Sequence, residues 1–326
     1  MAKKGKRFSI ISFFVIAAFL LSGCGPTYPK EKLKGLLVKL CQDEYGIDVK
    51  VEERGGTLYI FMPQEHLLDY RMGILPDAED KLNNVLLSAS RVALSTDADF
   101  KFFCIIVQDT AVPEIELVFV RYVEDMKRYL FGDISRGEYF DRMIIDIKLT
   151  PQAQKEKAIR DVFKTMKLDD KWAQSVINDY FSRNPVTSIK DVGYWLDKFF
   201  VKEISLPEFL AEQIKQRINI KYKKNLQDTL GLRLITVTYL EEGQGHFEIT
   251  VEAAPQSYTM EDLSPVNIKA CLEEAAKVIY DYKFERFTVV RIFDKHFDKY
   301  IVAGRKEITD FHKNRISFSN FSIMKK

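Results

Sequence analysis

The sequence predicts an α+β fold made of two α-β-β-α-β-β-α sandwich units with mostly antiparallel sheets, separated by a helical segment. Three observations predict it. Amphipathic runs with apolar residues three and four apart alternate with pairs of strand-like runs. Glycine-bearing turns join the strands of each pair, as in hairpins and not in parallel crossovers. The chain also matches itself at a shift of 185 residues, where Gln42-Asp43, Gly46, Phe102, Asp109 and Asp125 fall on Gln227-Asp228, Gly231, Phe287, Asp294 and Asp310. One further step aligns Leu86, Ala89, Arg91 and Val92 with Leu272, Ala275, Lys277 and Val278. A duplicated unit of about 115 residues is the size of a small domain, far too long for a solenoid repeat.

Each unit opens on a helix, carried by Leu33, Leu36, Leu37 and Leu40 in the first and by Phe209, Leu210, Ile214 and Ile218 in the second. Gly46 and Gly231 stand where such helices stop. Hairpins follow: Ile47 to Glu53 with Thr57 to Met62 around Gly55-Gly56, and Leu232 to Leu240 with His246 to Ala253 around Gly243-Gln244-Gly245. A second helix is expected over Glu79 to Leu94 and over Pro265 to Tyr282. Strands are then expected over Lys101 to Gln108 and Glu285 to Phe293, followed by Glu114 to Tyr122 and Lys299 to Lys306. A short polar helix beginning near Asp125 or Asp310 ends each unit. The strand Phe102 to Val107 is apolar on both faces, so the open face of each sheet should be covered by the other unit or by the helices between them.

Residues 150–206 read as three helices. Ile159, Val162, Phe163 and Met166 mark the first, Trp172, Val176, Ile177 and Tyr180 the second, and Ile189, Val192, Leu196 and Phe199 the third. Ser135-x-x-Glu138 and Ser205-x-x-Glu208 carry the Ser-x-x-Glu pattern of a helix start. The segment is too apolar for a flexible linker and should pack on both units. The expected organisation is a leader over 1–23, a first unit over 24–149, the insert over 150–206 and a second unit over 207–326.

The leader begins with Lys3, Lys4, Lys6 and Arg7, and Phe8 to Ser22 then run without a charge. That is the n-region and h-region of a secretion signal, and Gly25-Pro26 ends the run short of the roughly 20 residues a spanning helix needs. Leu21-Ser22-Gly23-Cys24 resembles the lipobox of bacterial lipoproteins. The resemblance implies a lipidated Cys24, cleavage before it and acylation, palmitate included, of the new amino terminus. Gly25 stands where an inner-membrane retention aspartate stands in enteric bacteria, so the resemblance implies the outer membrane, facing the periplasm, if the source is diderm.

Loss of residues 1–23 removes four positive charges and no negative ones, taking the net charge from +2 to −2. The remaining body has no Lys/Arg stripe interleaved with aromatics, which argues against nucleic-acid binding. Cys41, Cys104 and Cys271 sit in apolar-periodic segments and read as buried free thiols. His66, His246, His296 and His312 show no metal-ligand spacing. The repeated aspartates read as turn or cap residues, with acid/base catalysis as the functional alternative. The charged loop Asp294 to Tyr300 reads as a solvated hairpin loop, longer than its counterpart Asp109 to Pro113. No catalytic, cofactor-binding or metal residue is assigned. The resulting expectation is a membrane-anchored envelope lipoprotein acting as a non-enzymatic binding or assembly adaptor, with other envelope proteins or a small ligand as partner. The alternative is an envelope-acting hydrolase with carboxylates in a cleft between the units.

Overall fold

The computed structural model describes residues 28–69, 73–112, 115–148, 186–195, 197–224, 232–253 and 264–325, with separate residues between 162 and 183. Residues 1–27, with the expected leader and Cys24, lie outside them, as do Gln227, Asp228 and Gly231. The fold is α+β with mostly antiparallel sheets.

In the first unit, α1 (Leu33–Tyr45) buries Leu33, Leu37 and Cys41. Gly46 ends it at φ 66°, its N–H donating to Gln42 O while Ile47 N–H donates to Cys41 O. This left-handed closure satisfies two carbonyls at the helix end, and a β-carbon would strain it. Strands β1 (Lys50–Arg54) and β2 (Thr57–Gln64) form an antiparallel hairpin. Helix α2 (Pro76–Ser95) starts on a proline with Asp77 and Glu79 in its first turn, and carries the chain over to β3 (Phe102–Asp109), which is parallel to β2. Then come β4 (Glu116–Tyr122), α3 (Val123–Leu130), α4 (Arg136–Asp141) and β5 (Ile144–Lys148), giving the sheet order β1-β2-β3-β4-β5.

Between the units, Gly193–Trp195 (β6) and Lys198–Phe200 (β7) form a hairpin, which corrects the third expected helix. Val-Gly-Tyr-Trp is a strand-like run, and Asp197 at φ 59° turns it back. Gly193 sits close to the sheet, and a β-carbon there would press on the side-chain ends of Glu116 and Lys148 at 3.3 Å. Ile189, Val192 and Tyr194 are nevertheless buried, because the hairpin packs on the first sheet, with Tyr194 stacked on Phe61 at 3.9 Å.

The second unit runs α5 (Leu206–Lys224), β8 (Leu232–Leu240), β9 (His246–Ala253), α6 (Ser264–Asp281), β10 (Val289–Asp294), β11 (Lys299–Gly304), α7 (Arg305–His312) and β12 (Met324–Lys325). Its sheet has the same succession of senses as the first: β8 antiparallel to β9, β9 parallel to β10, then β11 and β12 antiparallel. Each sheet holds a fifth strand beyond the four expected.

Two apolar layers organise these elements. One face of the first sheet, with Phe103, Ile105 and Val107, packs on α1 and α2. Its other face, with Phe102, Cys104 and Ile106, joins Phe209, Leu210, Ile214 and Ile218 of α5 and the inner face of the second sheet in one continuous core. Helix α5 therefore serves both sheets, and Phe209 lies 5.2 Å from Phe102 and 6.1 Å from Tyr122, ring to ring. The covering expected for both sheets holds only for the first. On the second sheet, Thr236, Thr238, Arg291 and Val302 are exposed and Glu248, Thr250, Phe293 and Tyr300 are half-buried.

Because α5 fills space shared by both sheets, Phe209→Ala should lower stability by about 3–5 kcal/mol in urea denaturation. Leu94→Ala, at a position 44% exposed, should stay within about 0.5 kcal/mol.

Candidate functional site

The aspartates at the ends of equivalent strands hold turns. Asp109 Oδ2 accepts the Leu67 N–H at 2.7 Å, and its Oδ1 accepts the N–H groups of Ala111 and Val112 at 2.8 and 2.9 Å. Burial works against this carboxylate, yet the three backbone donors outweigh it and hold the pKa below the ordinary aspartate range. Asp294 Oδ1 accepts from His296 and Phe297 N–H in the same manner, and its Oδ2 accepts from Asn267 Nδ2 at 3.0 Å.

Asp125 and Asp310 are not equivalent. Asp125 lies in the first turn of α3, whereas Asp310 lies in the last turn of α7, bonded to Arg315 at 3.4 Å. Strands β10 and β11 are shorter than β3 and β4, and the β10–β11 turn, 295–298, is shorter than the β3–β4 connection, 110–115, which reverses the expected order of loop lengths. The offset between the units slips accordingly. Glu307 takes the position matching Asp125, and its carboxylate accepts the Gly304 N–H at 2.6 Å.

Asp125 instead belongs to a buried charge network where the units meet. Its Oδ1 accepts Arg142 Nη1 at 2.9 Å, and its Oδ2 accepts the Tyr282 hydroxyl at 2.5 Å. Arg142, 1% exposed, also donates to Glu138 at 2.5 Å and lies 3.6 Å from Asp281, which Arg217 of α5 approaches at 3.5 Å. Burial pushes the Asp125 carboxyl up, against the pull of Tyr282 and Arg142. Burial likewise opposes the Arg142 charge, but Asp125, Glu138 and Asp281 hold its pKa up. Carboxylates thus engaged by arginines bind the two units together. The hydrogen-bonded partners lie as much as 157 residues apart, so no sequence pattern marks the cluster.

The second sheet's open face is the surface with unassigned chemistry. Cross-strand register sets Thr238, Glu248, Arg291 and Val302 in one row and Thr236, Thr250, Phe293, Tyr300 and Met324 in the next. Glu248 Oε1 lies 3.2 Å from Arg291 Nη1 and 3.3 Å from His246 Nε2. Lys295 pairs with Glu252 at 3.2 Å. Aromatic rings beside a compact acid-base-imidazole group give a face suited to binding through planar and polar contacts together.

Among the described residues, Cys41, Cys104 and Cys271 are free and buried, and burial raises each thiol pKa. Among the same residues no group of three or more His, Cys, Asp or Glu side chains gathers to hold a metal. Nor is any described helix long and apolar enough to cross a membrane. No protein-family model, curated protein or solved structure matches the chain.

Asp109→Ala should cost about 3 kcal/mol at pH 7 by orphaning the backbone donors it serves. A lowered folded pKa means the carboxylate's contribution is complete above the unfolded value of about 3.9 and is lost as pH falls through the folded value. The variant should therefore lose less stability than the parent on acidification below about pH 4, read from urea midpoints across pH.

Proposed function

We propose that this chain is an envelope lipoprotein, anchored through Cys24, that acts as a non-enzymatic binding or assembly adaptor through the open face of its second sheet. The observation that carries the reading is an asymmetry. Two sheets share strand order and sense, yet the first is covered on both faces while the second leaves a face wet, bearing Arg291, Glu248, Phe293 and Tyr300. Duplicate units need only one common structural role, and a face left open in one of them is free for another. The shared topology also supports descent of both units from one ancestor.

The basic and apolar leader with Leu21-Ser22-Gly23-Cys24 supports the anchor. Acyl chains contribute about 0.8 kcal/mol per buried CH₂, so several of them retain a folded body at the membrane. Gly25 favours the outer membrane of a diderm host, with the body in the periplasm. Its partners are then envelope proteins, or a small ligand bound at the open face. A hydrolytic reading finds less support, since Asp125, the buried carboxyl between the units whose pKa is raised, is tied to Arg142 and Tyr282.

A photo-crosslinker at position 291 or 300 should form discrete adducts in native membranes, absent when the crosslinker sits at position 87 and lost on Cys24→Ala. Equal adducts from position 87, or none from the open face, would contradict the reading.

A further inference from the structure

Tyr28 is pinned to the first unit. Its N–H donates to the Ser95 carbonyl at 3.1 Å, it bridges Thr96, and its ring packs on the core beneath α1 and α2. Two residues on, the Lys30 N–H donates to the Asp97 carboxylate at 2.8 Å. Only Gly25, Pro26 and Thr27 stand between this fixed point and Cys24. A chain spans at most about 3.6 Å per residue, so the α-carbons of Cys24 and Tyr28 are never more than about 14 Å apart. That is less than half the thickness of a hydrocarbon core of about 30 Å.

Resting on the lipidation of Cys24 proposed above, we infer that the end of the first unit around Tyr28, Lys30 and Leu94 lies against the bilayer holding the anchor. Acyl chains enter at headgroup level, and so short a leash leaves no room for the body to stand away. The surface there suits the contact. Leu94 is a half-exposed apolar side chain one residue before the carbonyl that holds Tyr28, and Lys30 and Lys32 are exposed cations able to lay their stems along an interface. The same placement orients the rest of the molecule. Helices α1 and α2 form one outer layer, followed by the first sheet, α5 and the second sheet, so the open face lies on the opposite outer surface. It belongs to a different layer of the molecule from the one that carries the membrane contact.

The test uses the full lipidated protein in phosphatidylcholine vesicles containing a doxyl-lipid quencher. Fluorophores are attached through Leu94→Cys or Val302→Cys, and palmitate incorporation at Cys24 is scored in the same preparations. The label at position 94 should lose most of its fluorescence and the label at position 302 little. A glycine-serine spacer inserted between Thr27 and Tyr28 should relieve the quenching at 94. Equal quenching at both positions with palmitate present would overturn the inference while leaving the anchor intact. Absence of palmitate at Cys24 would remove the anchor and the inference together.

Discussion

A strand that is apolar on both faces cannot sit in a two-layer sandwich, and β3 is such a strand. Phe102 to Val107 are all fully buried, three residues toward α1 and α2 and three toward α5. Each such side chain gains about 1.5–3 kcal/mol on leaving water, so an uncovered second face would forfeit a large part of a domain's net stability. The cover comes from the opening helix of the second unit. Helix α5 gives Phe209, Leu210, Ala211, Ile214, Ile218 and Tyr222 to that cover, with Gln213 and Arg217 buried beside them. The first unit is thus completed by the second, although the two resemble separate domains in sequence.

Polar groups fix how the cover sits. Gln213 donates to the Arg142 carbonyl at 2.6 Å, while Gln216 accepts the Ile145 N–H at 3.2 Å and donates to the Met143 carbonyl at 2.9 Å. The side chain of Gln216 in this way substitutes for a neighbouring strand along the edge of β5. Beside it the Asp125, Arg142, Arg217 and Asp281 charges meet from both units. Buried ion pairs add little net stability because desolvation offsets their attraction, but breaking one partner is costly, so they select one docking geometry over others. Apolar burial supplies the affinity between the units and the charges supply the register.

Much of the fold was legible because its causes are local. Alternation located the strands, three-and-four spacing located the helices, and Gly46 marked a left-handed helix end. The two Ser-x-x-Glu patterns each begin a helix, although each makes only part of the reciprocal bonding: Ser135 accepts the Glu138 N–H, while Glu208 accepts the Ser205 N–H. Residues 189 to 199 misled because buried apolar spacing suits a helix as well as a hairpin packed on a sheet. Asp310 misled because an alignment without gaps cannot register strands of unequal length. The charge network had no sequence signal, since it depends on which surfaces meet across long separations, whereas the alternation of Thr236, Thr238, Glu248 and Thr250 with buried apolar residues was the available sign of a wet second face. Cys24, the residue proposed to carry the lipid, lies outside the described residues.

Covering one sheet with a helix borrowed from the other leaves the outer face of the second sheet available, and that division links the fold to the proposed adaptor role. Its central physical claim is that the first unit is incomplete without α5. Urea unfolding of a fragment spanning residues 28–204, followed by circular dichroism and sedimentation, tests this most directly. The account predicts a fragment that aggregates or unfolds without cooperativity, its Phe102, Cys104 and Ile106 face bared. A monomeric fragment with a sharp unfolding transition would contradict it.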